Sequence, residues 1–156
     1  MKTIVAFSDS HNRTLPQNFK AVLDEADFVF FLGDGLRGLA EYFQRENFYA
    51  VKGNCDALPF PEEMEVTVEG VKFWLTHGHN YSAKYDMHKL LLRALEKGAN
   101  CALFGHTHIP ETVFEQGVHL INPGSITLPR IGNPSYAYIT VSGQKMFCKI
   151  VEAVCP

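Results

Sequence analysis

The chain has 156 residues, of which 46% are hydrophobic, and a formal net charge of −3. This length is enough to bury most of the apolar surface around one core, so we expect a single domain spanning residues 1–156. The acidic balance leaves no basic field to hold a nucleic-acid backbone, and stable nucleic-acid binding is not expected.

The N-terminal stretch and the cysteines both predict a cytoplasmic protein. The apolar part of MKTIVAFSDSH is too short for a signal peptide or a membrane span. The four cysteines form no CxxC pair, which excludes the spacing of a zinc knuckle or a thiol redox centre. We expect reduced thiols, with Cys101 and Cys148 packed as small apolar residues and Cys155 at the surface.

The first third of the chain alternates strand and helix patterns. Apolar residues at helical spacing indicate the helices, and β-branched or aromatic runs indicate the strands. The predicted elements are strand 2–8, helix 16–25, strand 27–32, helix 36–46 and strand 47–51. This β-α-β-α-β order predicts a parallel sheet with right-handed crossovers.

The middle of the chain changes to alternating patterns. Residues 64–68 and 71–76 alternate with a period of two around Glu69-Gly70, which predicts a hairpin. A helix is predicted over 82–97, ending before Gly98. Its predicted apolar face consists of Tyr85, His88, Leu91, Leu92 and Leu95.

The last part of the chain predicts a strand at 102–105 and two antiparallel hairpins. The hairpins are 112–115 with 118–122, joined at Gln116-Gly117, and 136–141 with 145–151, joined at Ser142-Gly143. Together the elements predict an α/β fold. We expect a four-layer αββα sandwich in which two mixed β-sheets pack face to face with flanking helices.

Metal-binding types of side chain concentrate in short clusters, most of them just beyond the predicted strands. Because the carboxyl ends of strands in α/β sheets converge on one crevice, we expect one site rather than five. Five of the seven histidines belong to these clusters, which argues against a random scatter over the surface. The clusters are Asp9 with His11, then Asp34, then Asn54, then His77 with His79, and His106 with His108.

Most clusters taken singly have an ordinary structural alternative. Asp34 lies between two glycines, where a turn aspartate is common, and Asn54 would equally suit a turn. The pairs in LTHGH and GHTH are stronger signals, because each places two imidazoles beyond an apolar strand. His88 on the predicted helix and His119 in the alternating VHLIN segment are expected to be partly buried packing residues.

Five motifs follow one another over nearly the whole chain: Asp9-x-His11, Gly33-Asp34, Gly53-Asn54, His77-Gly78-His79 and Gly105-His106-Thr107-His108. With these motifs the chain resembles the calcineurin-like metallophosphoesterases, and its size and GNCD segment are similar to the compact bacterial and archaeal phosphodiesterases of that family. The resemblance implies one metal held by Asp9, His11 and His108. It implies a second held by Asn54, His77 and His106, with Asp34 bridging the two.

The resemblance implies hydrolysis of a small phosphodiester at a dinuclear metal centre. Two divalent ions, together with Asp9, Asp34 and one hydroxide, leave one positive charge, which a phosphodiester monoanion neutralises. The expected nucleophile is the hydroxide that bridges the metals. Carboxylate, amide and imidazole donors are compatible with Mn²⁺, the ion that we expect, and also with Ni²⁺, Fe²⁺ or Zn²⁺.

The proton donor to the leaving group is where this chain departs from the larger phosphatases of the family. Those enzymes carry a histidine directly after the motif asparagine, and this chain has Cys55 there. A thiol is a poor proton donor to an alkoxide. We therefore expect Asn54 and His79 to be the catalytic residues, with His79 as the general acid; orientation of its metal-binding neighbour is the alternative role for His79.

Several further residues are expected behind the ligands or beside the substrate. Asp56 would steer Asn54 or a ring N–H, with a plain turn carboxylate as its alternative. Arg13 would reach a phosphate or remain an exposed loop arginine, and Arg130 has the same two alternatives. Cys55 would either lie beside the substrate or pack as a small residue, and the NPGS segment at 122–125 would support the site from behind.

Two other classes of function stay open. The family fold also serves as a non-catalytic scaffold in a membrane-trafficking complex, where the surface binds partner proteins. A thiol-dependent or purely structural metal protein would hold metal tightly without an open coordination position. No long insertion caps the predicted site, so the sequence does not name a natural substrate, and a homo-oligomer is possible.

Overall fold

The computed structural model describes residues 1–153, so the expectation for Cys155 lies outside the described residues. Within them the helices are α1 (Gln17–Glu25) and α2 (His88–Lys97), with 3₁₀ segments at Leu36–Tyr42 and His79–Tyr81. The strands are β1 (Lys2–Phe7), β2 (Phe28–Phe31), β3 (Phe48–Ala50), β4 (Glu63–Val68), β5 (Val71–Thr76), β6 (Cys101–Leu103), β7 (Pro110–Glu115), β8 (Val118–Pro123), β9 (Ser135–Ser142) and β10 (Lys145–Glu152).

These strands form two mixed sheets of five strands each. The first sheet has the order β10-β9-β1-β2-β3, in which β1, β2 and β3 are parallel and β9 runs antiparallel to β1 and β10. The second has the order β4-β5-β6-β8-β7, in which β5, β6 and β8 are parallel and the outer strands β4 and β7 are antiparallel. Each sheet therefore contains three adjacent parallel strands.

Three apolar clusters fill the spaces between the layers of the fold. Between the two sheets, Phe30 of β2 packs edge to face against Phe73 of β5, with ring centroids 5.7 Å apart. On the outer face of the first sheet, Phe19 of α1 packs against Phe7 at 5.1 Å. Leu91 of α2 covers the outer face of the second sheet. Burying each such side chain contributes about 1.5–3 kcal/mol, and the predicted four-layer αββα sandwich is confirmed.

The predicted helix over 36–46 is wrong. The structure has a 3₁₀ segment at Leu36–Tyr42, and non-helical angles at Leu39 (φ −113°, ψ 18°) interrupt it. The N–H of Gly38 donates to the side chain of Asn12 at 3.0 Å, outside the segment. The N–H groups of Gly38 and Phe43 donate to the carbonyls three residues back, those of Gly35 and Ala40, each at 3.2 Å. These i to i−3 bonds are the 3₁₀ pattern and not the i to i−4 pattern of a regular α-helix, so apolar spacing alone overestimates the helix.

The predicted helix over 82–97 begins too early. Ser82 has a left-handed φ of 56°, which an α-helix cannot include, and Asp86 accepts the N–H of His88 at 2.9 Å at the true start of α2. The buried face is Leu90, Leu91 and Ala94. The other members of the predicted apolar face are exposed, so the expected packing role of His88 is wrong; they are Tyr85, His88, Leu92 and Leu95.

Two of the three hairpin turns are confirmed. Glu69-Gly70 and Gln116-Gly117 have left-handed φ at both positions, as a type I′ turn requires. The third turn is Gly143-Gln144, one residue later than predicted, because β9 and β10 pair Ser142 with Lys145. The register follows burial along the strands, since a slip of one residue would turn every side chain to the opposite face.

The packing roles expected for two cysteines and one histidine are confirmed. Cys101 is buried and Cys148 packs against the cluster between the sheets. His119 is half-buried with its ring 4.5 Å from that of Phe114. Neither α-helix in residues 1–153 combines the length and apolar character needed to cross a bilayer.

At the Gln116-Gly117 turn, the effect of backbone strain on stability can be measured without new side-chain contacts that would obscure it. A Cβ on Gly117, where φ is +81°, would meet no atom within 4 Å. Gly117→Ala should therefore lower the free energy of unfolding by about 1 kcal/mol through the backbone alone. Gln116→Gly removes a strained φ of 50° and should raise it slightly. Urea denaturation measures both changes, and unchanged midpoints would contradict the type I′ geometry.

Candidate metal centre

The candidate site lies where the carboxyl ends of the parallel strands of both sheets meet. In the first sheet, Asp9 follows β1 and Asp34 follows β2; in the second, His77 follows β5 and His106 follows β6. Contacts join the two sheets at this edge, because the N–H of His106 donates to Oδ2 of Asp9 at 3.0 Å. The convergence of the sequence-predicted clusters is thus a property of the structure.

A first group of donor atoms comes from Asp9, His11 and His108. Nε2 of His11 and Nε2 of His108 are 3.1 Å apart, and Nε2 of His108 lies 3.3 Å from Oδ1 of Asp9. Two ligand atoms that bind one ion at about 2.1 Å with a right angle between them are about 3 Å apart. The spacing of this group therefore suits a single cation of first-row size.

A second group comes from Asp34, His77 and His106. Nε2 of His77 lies 3.2 Å from Oδ2 of Asp34, and the rings of His77 and His106 have centroids 5.1 Å apart. Asp34 also belongs to a third group with His11 and Cys55. It therefore stands between the first and second groups, where a bridging carboxylate would have to be.

Hydrogen bonds to carbonyl groups determine which ring nitrogens are free to bind a metal. Nδ1 of His77 donates to the carbonyl of Leu32 at 2.8 Å, and Nδ1 of His108 donates to that of Leu128 at 2.7 Å. A carbonyl only accepts, so each Nδ1 carries the proton and a neutral ring turns the Nε2 lone pair toward the carboxylates. The tautomers are those that metal ligation requires.

Among residues 1–153, four buried side-chain atoms around the centre have no hydrogen-bond partner: Oδ1 of Asp9, Oγ of Ser10, Nε2 of His77 and Nδ1 of His79. Oδ1 of Asp9 lies 3.8 Å from Nε2 of His77 and of His11, and 3.3 Å from Nε2 of His108. Buried polar atoms normally have partners, and cations bound by the two donor groups would satisfy Oδ1 of Asp9 and Nε2 of His77. On this observation the residues fit a divalent metal.

The second group is electrostatically coupled. Burial raises the pKa of Asp34, but hydrogen bonding to His77 and the charge of that ring outweigh it and hold the pKa well below the usual range. Burial lowers the pKa of His77, and the hydrogen bond to Asp34 with the charges of Asp9 and Asp34 reverse this and raise it. Both shifts reflect the attraction between the ring of His77 and the carboxylates of Asp9 and Asp34.

The two histidines of the GHTH segment differ. The hydrogen bond to Asp9 raises the pKa of His108, with burial opposing it. Burial lowers the pKa of His106 to about 4, helped by the charge of His77. His106 is therefore neutral at ordinary pH and ready to bind a metal, whereas His108 holds a proton more tightly than a free imidazole does.

Five candidate ligands have left-handed backbone conformations, with φ between 47° and 73°: Asp9, His11, Asp34, His106 and His108. Each such residue with a Cβ costs about 1–2 kcal/mol relative to ordinary backbone. Strain of this kind persists only where the surroundings determine the conformation, and it is concentrated at functional sites. The loops are therefore shaped to aim these side chains inward.

Asp56 holds the Asp34 loop in place. Its Oδ2 accepts the N–H groups of Asp34 and Gly53 at 2.7 and 2.8 Å, and its Oδ1 accepts those of Gly35 and Leu36 at 2.9 and 3.1 Å. The partners of Asp56 are backbone groups, rather than the Asn54 amide or the ring N–H that the sequence predicted. Adjacency in the GNCD segment could not show this, because these partners come from two different loops.

Ser125 and Thr127 are supporting residues that sequence reasoning missed, although the NPGS segment was expected to lie behind the site. Oγ of Ser125 donates to the carbonyl of Asp9 at 2.7 Å and accepts the N–H of Leu128 at 2.7 Å. Oγ1 of Thr127 donates to the carbonyl of Ser10 at 2.9 Å. Because the carbonyl of Leu128 holds His108, Ser125 links two ligands of the first group.

Two glycines allow the loops to approach closely. A Cβ on Gly105 would clash with Oγ of Ser8, which donates to Oδ2 of Asp9 at 2.7 Å. A Cβ on Gly53 would clash with Oδ1 of Asp34. These glycines are therefore required by space rather than by their own φ, which explains their place directly before motif ligands.

The remaining predicted residues lie at the edge of the centre. Asn54 is exposed, and its amide donates to Sγ of Cys55 at 3.7 Å. Cys55 is also exposed, so packing as a small buried residue is wrong; desolvation and the charge of Asp34 raise the pKa of its thiol. The ring of His79 lies 5.5 Å from that of His77, while Arg13 is exposed on the loop after His11.

The donor set and fold agree with comparisons to known proteins. A probable metallophosphoesterase of Bacillus subtilis, YsnB, is 35% identical over 145 residues, covering 88% of this chain and 83% of that protein. The phosphodiesterase YfcE of Escherichia coli is 34% identical over 95 residues, covering 55% of this chain and 48% of that protein.

Solved structures show the same architecture. A predicted phosphoesterase from Streptococcus pneumoniae superposes with a TM-score of 0.81 at 27% identity, covering 97% of this chain and 90% of that one. Vacuolar protein sorting 29 of Cryptosporidium parvum superposes with a TM-score of 0.79 at 21% identity over 96% of each chain, which shows a shared fold alone. Residues 1–144 match the calcineurin-like phosphoesterase superfamily domain, and the chain belongs to that family.

Proposed function

We propose that this protein is a dinuclear metal-dependent phosphodiesterase, with one domain carrying the activity. The proposed ligands are Asp9, His11 and His108 for one ion and Asn54, His77 and His106 for the other, with Asp34 shared. The observation that carries the proposal is the pair of donor groups meeting at Asp34, with buried Oδ1 of Asp9 and Nε2 of His77 left without partners.

The two metal ions would supply a water of lowered pKa as nucleophile and would stabilise the negative charge on the phosphoryl oxygens. The protein's own part is to present acceptor atoms at ionic spacing and to fix the ring tautomers. Asp9 and Asp34 leave part of the charge of two divalent ions uncompensated, and a phosphodiester monoanion with a hydroxide balances the remainder. That balance favours a diester over a dianionic monoester, in agreement with the name of the relative from Escherichia coli.

His79 is the proposed proton donor to the leaving group. Its ring lies next to those of His77 and His106, with centroids 5.5 and 6.2 Å away. Cys55 also lies close to Asp34, but the pKa of its thiol is raised. A thiol of such low acidity is a poor proton donor to an alkoxide. The neutral amide of Asn54 would complete the second ion's ligands without adding negative charge.

The proposal includes Mn²⁺ as the native ion, a cytoplasmic location and no stable complex with nucleic acid. The scaffold alternative shares the fold, but a protein that only binds partners has no need for five left-handed ligand residues and unsatisfied donor atoms. Catalysis therefore explains the strain and a scaffold does not. Activity with added metal separates the two.

The first test is hydrolysis of bis-p-nitrophenyl phosphate with added Mn²⁺. Turnover by the native chain should fall more than about 100-fold in Asp34→Ala and Asn54→Ala, since loss of a direct ligand should exceed the 10–100-fold effect of removing an outer hydrogen-bond partner. Lys20→Ala, an exposed change on α1, is the matched control. An inert native protein that still binds Mn²⁺ would contradict the proposed activity.

The proton donor can be tested by varying the leaving group. His79→Ala should slow esters with alkoxide leaving groups by about 10²–10⁴-fold, and p-nitrophenolate esters far less, because only the basic leaving group needs a proton. His88→Ala, on an exposed histidine of α2, serves as the control. Equal losses on both kinds of ester would remove His79 from this role.

Metal affinity should depend on pH through the histidines with raised pKa. Protons compete with the metal at His77 and His108, so the apparent affinity for Mn²⁺ should weaken as the pH falls through their raised pKa values. His106, with a pKa of about 4, should add nothing until much lower pH. Calorimetric titration with Mn²⁺ at a series of pH values measures this, and a pH-independent affinity would count against ligation by these rings.

A further inference from the structure

A cavity of about 650 Å³ opens beside the candidate metal centre. It is formed by residues 12–17, Ile126, Thr127 and Pro134, and is called here the Asn12–Pro134 cavity. Its volume lies within the range of about 300–1,000 Å³ that small-molecule sites occupy. The cavity is separate from the metal ligands, so it has to be explained on its own.

The wall of this cavity and the first ligand group share one stretch of backbone. Asn12 directly follows His11, and Thr127 reaches from the opposite wall to donate to the carbonyl of Ser10 at 2.9 Å and to that of Asp9 at 3.3 Å. The side chain of His11 is 26% exposed, so the first group is open to solvent. A phosphate bound there therefore has the cavity within reach of its substituents.

The lining combines an apolar floor with a polar rim. Leu15 and Ile126 are buried members of the cluster under the first sheet, and they form the floor. Asn12 and Arg13 are exposed at the rim, and within residues 1–153 no carboxylate lies near enough to pair with Arg13. A guanidinium without a carboxylate partner stacks well on a planar ring, whereas a cavity made for an ion would not need an apolar floor.

The cavity is preformed. Asn12 has a left-handed φ of 60°, and its Oδ1 accepts the N–H of Gly38 at 3.0 Å. The N–H of Arg13 donates to the carbonyl of Ser10 at 2.9 Å, which closes a tight turn after the ligands. A wall fixed in this way lets a ligand bind without ordering the loop first.

A second cavity next to Thr107 is a weaker candidate. It measures about 240 Å³, below the usual range, and its lining mixes Lys84 and Arg130 with Asp86 and Glu111. Two cations offset by two carboxylates give no net attraction for a further anion. The larger and more apolar cavity is therefore the better site for an organic group.

We propose that the Asn12–Pro134 cavity binds the ester group that stays on phosphorus, and that this group carries a planar ring of nucleobase size. The inference rests on the proposed function. The leaving group departs toward its proton donor His79, which lies beside the second ligand group at 5.5 Å from His77. The retained group is then the one left on the His11 side, where the cavity opens.

The test compares two diesters with the same leaving group, p-nitrophenolate. One is methyl p-nitrophenyl phosphate, and the other is the p-nitrophenyl ester of thymidine 5′-monophosphate. We expect KM to be about tenfold lower for the thymidine ester, with similar kcat, since only its retained group can fill the cavity. Equal KM values would overturn the proposal, while hydrolysis of both esters would leave the phosphodiesterase itself established.

A variant that blocks the cavity tests whether the cavity is the cause of the difference in KM. Thr14→Trp places a large ring at the rim of the cavity, and Lys20→Trp places the same ring on the exposed face of α1 as a matched control. Thr14→Trp should raise KM for the thymidine ester about tenfold and for the methyl ester much less, and Lys20→Trp should change neither. Equal effects of Thr14→Trp on both esters would contradict a specific pocket.

Binding without turnover gives an independent readout. Calorimetric titration of the Mn²⁺-loaded protein with thymidine 5′-monophosphate should show affinity about tenfold weaker in Thr14→Trp and in Arg13→Ala, and unchanged in Lys20→Trp. Methyl phosphate should bind all four proteins alike. If thymidine 5′-monophosphate and methyl phosphate bind the native chain equally, the cavity does not hold the retained group.

Discussion

The two oxygens of the Asp9 carboxylate have unlike surroundings, and the rest of the centre depends on that difference. Oδ2 accepts from Oγ of Ser8 and from the N–H of His106. Oδ1 has no donor in the described part of the chain and faces the Nε2 atoms of three imidazoles. A buried oxygen without a donor costs about 1–3 kcal/mol. The two proposed cations would together satisfy this oxygen and the three imidazoles.

Support for that arrangement comes from hydrogen bonds between segments that are distant in sequence. Asp56 holds the strained turn that bears Asp34, and Ser125 ties the carbonyl of Asp9 to the loop that orients His108. Each bond opposes backbone strain of about 1–2 kcal/mol per left-handed residue. Part of the stability of the fold therefore offsets the strain of the loops that position the ligands. A protein lacking a metal site would have no reason to maintain that strain.

The fold alone leaves the activity undetermined, because structures of vacuolar protein sorting 29 share it at low identity. The donor atoms are more informative. Their spacing, their tautomers and the low pKa of His106 fit the pair of cations that we propose, and the Asn12–Pro134 cavity beside them offers room for an organic substituent. Metal centre and cavity share the backbone of residues 9–13, so binding of substrate and metal would be coupled through one rigid loop.

The succession of strands along the chain and the candidate ligands could be predicted from the sequence, because period-two and apolar runs indicate which faces are buried and because metal-binding side chains are clustered. The sequence did not predict the 3₁₀ segment that replaces the 36–46 helix, the late start of α2 at His88 or the hydrogen-bond partners of Asp56. These depend on bonds between segments that periodicity does not relate. The local sequence therefore determined which side chains bear donor atoms, and the tertiary structure alone decided that Oδ1 of Asp9 has no partner and that a cavity lies next to it. Both features arise only because the fold brings loops from the two sheets within a few ångströms of one another.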